Sequence, residues 1–564
     1  MKPIAVADYT TAYGLPLPAD PFSFLYPYPT DLIVLYLSKI NVILFQETDA
    51  RTQSIQIFRH VFLKPGDRQP DYEQVVDRLL SHEHQVIFAV QSIAYLIRES
   101  LTHYRAAEAV TTDLKAFNKD LFNTILIYNH LIYHTEGTGL ETREGLWEIA
   151  LRQQNYIRDF NALFYTAPIK FLLVQQFFGS SDERKKIISS FQQRLGLGNL
   201  WNFAKTFMEL MQRVLGEEHT GQYIFHRSEI PPQALEIFSY DKTQSRDEMS
   251  IHFDLIPRPF YAVDDEHIAV IDFSYFRYIL DQGLFWCIFQ YSGLNTGRDI
   301  QKTFGLFRSK MGKEFFEEFL VGNMLKALFD RRHHVVAGEP PFEDFWIRPN
   351  QKDLIIVEVK MADLNPKTGE TFDVEGFKAF ILDNYAKPKD TKGGAKGAYQ
   401  LIRQLRLLET AGPAILNRLK LGNLQKLNVY PLIIYSDQAL DMVGVNAEVQ
   451  SVFSEQLSAA EALTFHVKPL TMIGINTLLE QFAFLKAAPS NLLDLVDAYQ
   501  RYLRGKKKSY EKHGGPFAYY EQHISFAEYV ALVKGRGKDE LGKNTAVFRS
   551  LINAGHFGPI DQPL

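Results

Sequence analysis

The sequence predicts an α+β multidomain protein, in which a mostly helical N-terminal region precedes an α/β domain with a mixed central sheet flanked by helices. Its 564 residues are enough for roughly two to four domains. Apolar residues recur at three-to-four spacing through the first 250 residues, and short apolar runs alternate with helical patterns from about residue 306. These observations divide the chain into four parts: a helical region at 1–250, a small β-hairpin and helix connector at 251–305, the α/β domain at 306–500 and a basic C-terminal tail at 501–564.

The helical region and the connector are predicted from spacing and turn residues. Helices are expected at 75–80, 86–96, 114–131, 146–164 and 200–215. Ser181-Asp182 is typical of a helix start. In the connector, apolar runs at 260–263 and 267–273 flank the acidic residues 264–266, which predicts a β-hairpin, and a helix is expected at 275–291.

The α/β domain is predicted to begin with a helix and a pair of strands. The expected order is a helix at 313–331, strands at 342–347 and 354–360, a long connection rich in Lys and Gly at 361–397, a helix at 398–409, and strands at 429–435 and 464–469, with a short extension at 471–474.

Composition narrows the class of protein. The single cysteine, Cys287, excludes disulfides within the chain and any Cys-based zinc or iron–sulfur site, and its apolar neighbours predict a buried side chain. The N-terminus does not resemble a signal peptide, and the most apolar early stretch is too short to span a bilayer. We therefore expect a cytoplasmic protein without a membrane partner.

The two strands at 342–347 and 354–360 carry the candidate chemistry. If their turn is centred on Gln351, residues whose numbers sum to 702 are paired, and Asp344 lies opposite Glu358. Side chains alternate along a strand, so Lys360 shares the face of Glu358. Like charges opposed in this way repel each other, and a divalent metal ion between them would remove the repulsion. The carbonyl of Val359 could add an oxygen ligand.

This spacing resembles the PD-(D/E)xK nuclease superfamily, whose members have a restriction-endonuclease-like domain. The superfamily pattern is an acidic residue followed by Glu-x-Lys at a strand end, with a glutamate on a preceding helix and often a glutamine on a following one. Here the preceding helix offers Glu317, with Glu314 and Glu318 as alternatives because the helix phase is not fixed. The following helix offers Gln400, with Gln404 as the alternative. Glu343-Asp344 replaces the Pro-Asp of the superfamily's name.

The resemblance implies Mg²⁺-dependent hydrolysis of phosphodiester bonds, with Mn²⁺ as a second candidate ion. Asp344, Glu358, Glu317 and the Val359 carbonyl would bind the metal, Lys360 would be the catalytic lysine, and Gln400 would complete the site. DNA is favoured over RNA by analogy, and the expected activity is that of an endonuclease in prokaryotic antiphage defence or restriction. A homo-oligomer and a regulatory protein partner are expected. The alternatives are an inactive nuclease-fold scaffold and a toxin-like ribonuclease.

A chain with a formal net charge of −5 needs local basic patches to hold a nucleic acid. Two segments provide them, although each segment taken alone is more typical of a solvated lysine-rich loop. The predicted nucleic-acid-binding residues are Lys387, Lys389, Lys392, Lys396 and Arg403 in the first segment, and Lys506, Lys507 and Lys508 in the second.

Three other motifs are interpreted as structural. Residues 537–544 resemble a P-loop, but Asn544 replaces the Ser or Thr that would contact magnesium, so no nucleotide site is expected there. The histidines at 82 and 84 and at 333 and 334 lack metal-ligand spacing and are predicted to be surface residues.

Overall fold

The computed structural model describes residues 5–46, 49–62, 70–81, 85–106, 113–134, 141–154, 160–215, 222–242, 248–281, 283–329, 334–337, 344–388, 394–459, 462–534 and 538–557. These residues form a mixed α/β structure with a mixed multi-strand sheet and many helices. Among the described helices, none combines the length and the apolar character needed to cross a bilayer.

The first 240 residues are mainly helical, as predicted. Their helices are α1 Tyr9–Tyr13, α2 Thr30–Gln46, α3 Ala50–Ile57, α4 Pro70–Leu80, α5 Val90–Thr102, α6 Leu114–Tyr133, α7 Arg143–Gln154, α8 Phe160–Gly179, α9 Asp182–Arg194, α10 Leu200–Leu215 and α11 Pro232–Phe238. Ser181 caps α9 by accepting a hydrogen bond from the backbone N–H of Arg184, so the predicted helix start is confirmed. Short strands β1 Ala5–Val6 and β2 Gln85–Val86 pair in parallel.

Two of these helix predictions need correction. The helix expected at 86–96 begins only at Val90, because Gln85 and Val86 pair with β1 instead. The single helix expected at 146–164 corresponds to two helices, α7 and α8, and residues 155–159 between them lie outside the described residues.

The predicted hairpin is present and gains a third strand. Strands β4 Phe260–Ala262 and β5 His267–Val270 are antiparallel, and β3 Ile224–His226 pairs with the other edge of β5. The helix predicted at 275–291 is interrupted, forming α12 Phe273–Leu280 and α13 Leu284–Tyr291. The backbone N–H of Gly283 donates to the Tyr278 carbonyl at 2.7 Å. This hydrogen bond closes the end of α12 before α13 begins.

One continuous helical rod leads into the central sheet. It consists of α14 Ile300–Met311, a π-helical segment at Gly312–Val321 and α15 Gly322–Leu328. The predicted helix at 313–331 is therefore real but starts a dozen residues earlier. The π-helical segment changes which side chains face the sheet, a feature often associated with functional sites.

The central sheet is mixed, as predicted. Its strands are β6 His334–Ala337, β7 Phe345–Arg348, β8 Asp353–Lys360, β9 Asn428–Tyr435, β10 His466–Val467 and β11 Thr471–Gly474. Strands β6, β7 and β8 are antiparallel neighbours, whereas β9 is parallel to β8 and both β10 and β11 pair in parallel with β9. Strand β6 was not predicted, and the predicted strand at 464–469 is shorter than expected.

The connection predicted at 361–397 contains two helices, which corrects the sequence analysis. They are α16 Pro366–Glu370 and α17 Val374–Tyr385. Asp373 caps α17, and the side chains of Phe377, Ile381 and Tyr385 are fully buried at four-residue spacing. Helix α18 Ala398–Glu409 follows with the bounds that the sequence predicted.

From Ile475 onward the described residues are mainly helical. Their helices, with those around β9, are α19 Pro413–Arg418, α20 Val445–Ser458, α21 Ile475–Glu480, α22 Phe482–Ala487, α23 Asn491–His513, α24 Pro516–Glu521, α25 Phe526–Lys534 and α26 Lys538–Asn553. The predicted boundary at 500/501 falls inside α23. Phe548, Ile552 and Phe557 near the C-terminus belong to the main hydrophobic core, so this basic segment packs onto the protein.

The apolar side chains form two cores. The first joins residues between Ala7 and Ile132 with residues 249–275. The main core joins α7–α10 with the central sheet and the C-terminal helices. Trp147 on α7 is fully buried there and donates through its indole Nε1 to the Val443 carbonyl at 3.1 Å. Helices α7–α10 therefore pack with the sheet, although the sequence assigned them to a separate part of the chain.

Candidate active site

The hairpin register matches the predicted sum of 702. Phe345 pairs with Val357, Trp346 with Ile356 and Ile347 with Ile355. Extending this register by one residue places Asp344, just before β7, opposite Glu358. The geometric premise of the sequence analysis is thereby confirmed: two carboxylates meet at the end of an antiparallel pair.

Direct contacts join the predicted residues at this point. Oδ2 of Asp344 accepts a hydrogen bond from the backbone N–H of Val359 at 2.5 Å. The Lys360 Nζ forms an ion pair with Glu358 on the same face of β8. Glu358 is 1% exposed, whereas the Lys360 side chain is 22% exposed, so the lysine is partly accessible to solvent and the acid is not.

The carbonyl of Val359 lies on the side of the strand that faces Asp344. The N–H and C=O of one residue in a strand point to the same side, and the Val359 N–H points to Asp344. The next carbonyl, that of Lys360, accepts from the Ser436 N–H at 3.2 Å on the β9 side, as alternation requires. The predicted backbone oxygen is therefore directed to the carboxylate end of the hairpin.

Helix α18 covers the face of the sheet that carries these groups. Gln400 accepts a hydrogen bond from Lys360 Nζ at 3.3 Å. Gln404, one turn later, accepts from the buried indole Nε1 of Trp346 at 2.9 Å. The two glutamines thus have different partners, and the structure places Gln400 beside the lysine and Gln404 in the core beneath it.

A glycine fixes the start of α18 close to the site. Gly397 has φ +56°, and a Cβ atom at this position would lie 2.0 Å from the Tyr385 carbonyl oxygen. Only glycine allows so close an approach with this backbone conformation. The end of α17 and the start of α18 are consequently in backbone contact, which brings Gln400 to Lys360 despite the long intervening segment.

The π-helical segment carries a third carboxylate, that of Glu317, close to Asp344 and Glu358. A Cβ at Gly322 would lie 3.2 Å from Cζ of Phe345, so the helical rod packs closely on the face opposite Trp346. Glu317 is near enough to Asp344 and Glu358 for its charge to act on both. Glu314 instead forms an ion pair with Arg184 at 2.7 Å, and Glu318 is exposed. Among the three candidates, Glu317 is the one directed to the site.

An ion pair and a hydrogen bond hold the segment that follows β8. Asp363, three residues beyond Lys360, forms an ion pair with Arg308 on α14. The backbone N–H of Leu364 donates to Oδ2 of Asp437 at 2.7 Å, just after β9. These contacts attach the segment after β8 both to the helical rod and to the neighbouring strand.

The three carboxylates have raised pKa values because they are buried close together. Burial and the carboxylate of Asp344 raise the pKa of Glu358 to about 8, against the opposing charge of Lys360. Burial and the carboxylates of Asp344 and Glu318 raise the pKa of Glu317 to about 7. Burial also raises the pKa of Asp344, although the Val359 N–H and Lys360 act in the opposite direction. Such perturbed groups cluster at functional sites.

These residues fit a divalent cation. Oε1 of Glu358 is buried, and its charged neighbours are the Lys360 amine and the carboxylate of Asp344. Carboxylate oxygens and a directed carbonyl are the hard ligands that Mg²⁺ prefers. A positive ion between them would remove the mutual repulsion that raises their pKa values.

The predicted nucleic-acid-binding residues are only partly described. Lys389 and Lys392 lie outside the described residues. Lys396 and Arg403 are exposed, and Lys387 pairs with Asp383 at 3.5 Å. In the second segment Lys507 and Lys508 are exposed on α23, whereas Lys506 pairs with Glu521 at 2.8 Å. Lys506 is therefore already neutralised by a neighbouring acid.

Asn544 and Cys287, both interpreted as structural residues, are buried. Asn544 is 1% exposed and hydrogen-bonds the backbone of Glu480 and Ala483, which makes it a buried connector between helices. Cys287 is buried, and burial raises the pKa of its thiol to about 12. Residues 82–84 and 333 lie outside the described residues, as does the side chain of residue 334.

The sequence analysis missed one group of potential metal ligands. His130 and His134 lie one turn apart at the end of α6, and the fold brings Asp8 to them. The i,i+4 histidine spacing was visible in the sequence, but the aspartate comes from a segment more than 120 residues earlier.

The candidate active site thus rests on the chain's own geometry. Comparisons of the chain with protein-family models, with curated proteins and with solved structures found no match.

Proposed function

We propose that this protein is a Mg²⁺-dependent DNA endonuclease with a restriction-endonuclease-like domain. One observation carries the proposal: Asp344 and Glu358 oppose each other at the end of a β-hairpin, with Glu317 approaching from the adjacent helix and Lys360 on the same face. A buried cluster of three acids and one amine has a high electrostatic cost without a cation. A metal ion bound by the three acids would offset this cost and would take part in hydrolysis.

The proposed metal ligands are Asp344, Glu358, Glu317 and the carbonyl of Val359. Mg²⁺, or Mn²⁺ in its place, would neutralise charge on a phosphodiester and lower the pKa of a bound water. The Val359 N–H fixes the orientation of the Asp344 carboxylate. Burial in a largely apolar strand keeps bulk water from Glu358, which strengthens its interaction with a cation.

Lys360 is proposed to act on the phosphoryl group directly. Its side chain is 22% exposed beside the nearly inaccessible Glu358, so a phosphate that binds at this strand end would meet the lysine first. A positive charge there would orient the attacking water or stabilise the negative charge that develops on phosphorus oxygens. Gln400 holds Lys360 Nζ from the helix side and would keep the amine directed to the substrate when Glu358 binds metal.

The biological setting is proposed from the same analogy. A nuclease domain packed with a large helical region suits a regulated enzyme, and we propose antiphage defence or restriction in the prokaryotic cytoplasm. A homo-oligomer would supply two sites for the two DNA strands, and a regulatory protein would contact the helical region. Exposed Lys507 and Lys508 on α23, with Lys396 and Arg403 near α18, would contact phosphates.

The test compares cleavage by the full-length protein and three variants. Supercoiled plasmid is incubated with wild type, Lys360→Ala, Asp344→Asn and the control Glu318→Gln, each with Mg²⁺ and with EDTA. We expect Mg²⁺-dependent nicking and linearisation by wild type and Glu318→Gln. Lys360→Ala and Asp344→Asn should be slower by about 10²-fold or more, the usual loss when one electrostatic contributor is removed.

Parallel reactions with single-stranded DNA and structured RNA identify the substrate. Faster cleavage of RNA than of any DNA would replace the DNA assignment with a ribonuclease. No cleavage of any substrate by folded wild type, with Mg²⁺ or Mn²⁺, would overturn the enzymatic proposal in favour of a scaffold. Equal cleavage by wild type and Lys360→Ala would remove this site from the reaction.

A further inference from the structure

A second group of potential metal ligands lies outside the hairpin, where α1 meets the end of α6. Asp8, His130 and His134 each offer one ligand atom, and these three atoms lie within 4.8 Å of one another. The nearest pair, Oδ1 of Asp8 and Nδ1 of His130, is 3.5 Å apart. Two ligands of a tetrahedral zinc ion, bound at about 2.0 Å, are separated by about 3.3 Å.

The two histidines share an orientation that suits one ion. Their rings are nearly parallel, with centroids 4.3 Å apart and an interplanar angle of 12°. Residues four apart lie on the same face of a helix, so both imidazoles project to the side on which Asp8 lies. His134 is exposed, and its ligand nitrogen lies within 4.8 Å of the ligand atoms of Asp8 and His130.

The carboxylate of Asp8 is held in place by its own neighbours. Oδ1 accepts hydrogen bonds from the Thr11 N–H at 2.8 Å and the Thr10 hydroxyl at 2.7 Å, and Oδ2 accepts from the Thr11 hydroxyl at 3.0 Å. Burial alone would raise the pKa of Asp8, but these hydrogen bonds and His130 keep it below its ordinary value. Outer hydrogen bonds of this kind orient metal ligands.

The backbone around the three ligands is also fixed. Asn129, directly before His130, is buried and donates to the Ala7 carbonyl at 2.7 Å and to the Ile87 carbonyl at 2.8 Å. This side chain attaches the residue before Asp8 to the residue before His130. The separation of the Asp8 and His130 backbones is therefore set by the fold.

We propose that Asp8, His130 and His134 form a binding site for a divalent transition-metal ion, with Zn²⁺ as the physiological ion. Two imidazoles and one carboxylate are ligands that zinc accepts, whereas Mg²⁺ prefers oxygen ligands alone. The exposed side of the site leaves a fourth position to water. The bound ion links the N-terminal segment to α6, so it stabilises the first core independently of the candidate active site.

The experiment titrates Co²⁺, whose visible absorption reports tetrahedral coordination, into metal-free full-length protein. The variants are His134→Ala, which removes an exposed ligand, and Asp8→Asn, which retains a good helix-capping residue but removes the charge. The control is His103→Ala, because His103 and Glu99 also lie four residues apart, at 3.0 Å, on an exposed helix face. Asp344→Asn shows which metal equivalents belong to the candidate active site.

We expect wild type, His103→Ala and Asp344→Asn to share one tetrahedral Co²⁺ equivalent that Zn²⁺ displaces. His134→Ala and Asp8→Asn should bind that equivalent more weakly by more than about tenfold, since even outer-sphere changes cost about that much. Zn²⁺ should raise the melting temperature of wild type but not of these two variants. The proposal is overturned if His134→Ala and Asp8→Asn bind Co²⁺ as wild type does, or if the tetrahedral signal is lost only in Asp344→Asn.

Discussion

The backbone N–H of Val359 donates a 2.5 Å hydrogen bond to the carboxylate of Asp344, across the end of the β7–β8 hairpin. This single contact fixes the acid that precedes one strand against the strand that carries Glu358 and Lys360. The orientation of the proposed metal ligand is thus determined by the main chain, which is less mobile than a surface side chain. Substitutions of the side chains around this contact should therefore change either the cleavage rate or the free energy of unfolding, depending on the partner that is lost.

The two glutamines of α18 should have separable effects. Gln404→Ala removes the side-chain acceptor of the buried Trp346 indole N–H, so we expect a loss of about 1–3 kcal/mol in the free energy of unfolding. Gln400→Ala removes only the partly exposed contact with Lys360, so stability should change little while plasmid cleavage slows. Urea unfolding and cleavage rates measure the two effects. Equal destabilisation by both variants would contradict the assigned roles.

Stability should fall with rising pH because of Glu358. The pKa of this group is about 8 in the folded protein, against an ordinary value of 4.5. Between these values the folded protein retains a proton that the unfolded chain has released, so each rise in pH favours unfolding, by roughly a few kcal/mol in total. Below about pH 4.5 both states are protonated and this effect is absent.

Glu358→Gln should remove this dependence. In EDTA, the melting temperature of the variant should exceed that of wild type by a margin that grows from pH 5 to pH 8.5, while Glu318→Gln follows wild type. Mg²⁺ should reduce the margin, because a bound cation stabilises the ionised acid. A constant difference between Glu358→Gln and wild type across this pH range would show that the acid is not protonated in the folded state.

Gly397→Ala should damage both fold and activity. The added methyl group would collide with the Tyr385 carbonyl, and the residue would retain a strained backbone, so we expect a loss of at least about 2 kcal/mol. Displacement of α18 should also slow cleavage by moving Gln400 from Lys360. The matched control is Gly394→Ala, since a Cβ at Gly394 meets nothing within 4 Å. Similar unfolding curves for the two variants would refute the close approach.

Lys507 and Lys508 should contribute to DNA affinity through charge alone. The double variant Lys507→Ala/Lys508→Ala should weaken binding of a duplex, and the slope of log affinity against log salt should become shallower by about 1.8, or about 0.9 for each lost phosphate contact. Lys352→Ala serves as the control, because this exposed lysine lies at the far end of β8 from Lys360. Fluorescence anisotropy at several salt concentrations gives the slopes. An unchanged slope would place the DNA elsewhere.

The hairpin could be predicted from sequence because two local signals agreed. A turn centred on Gln351 set the register, and the two-residue period of a strand then assigned Glu358 and Lys360 to one face. Helix α18 was predicted with its observed bounds, but only the contacts with Lys360 and Trp346 distinguish Gln400 from Gln404. That distinction depends on tertiary packing.

Other features were not accessible from local patterns. The π-helical segment alters the phase of Gly312–Val321, so an ideal helical wheel could not assign Glu317 to the site. The meeting of Asp8 with His130 and His134 depends on long-range packing of α1 on α6. The helix at 374–385 was missed although Phe377, Ile381 and Tyr385 have helical spacing, because the abundance of lysine and glycine around them favoured a loop.

The central sheet shares its apolar core with helices that precede it in the chain. Helices α7–α10 supply part of the apolar interior that surrounds the sheet, and Trp147 is fully buried within it. A fragment that begins near residue 306 would expose that interior to water and would precipitate or remain only partly ordered. If such a fragment failed to cut DNA, the cause would be aggregation and not the loss of a catalytic group. Point substitutions in the full-length protein are therefore the better test.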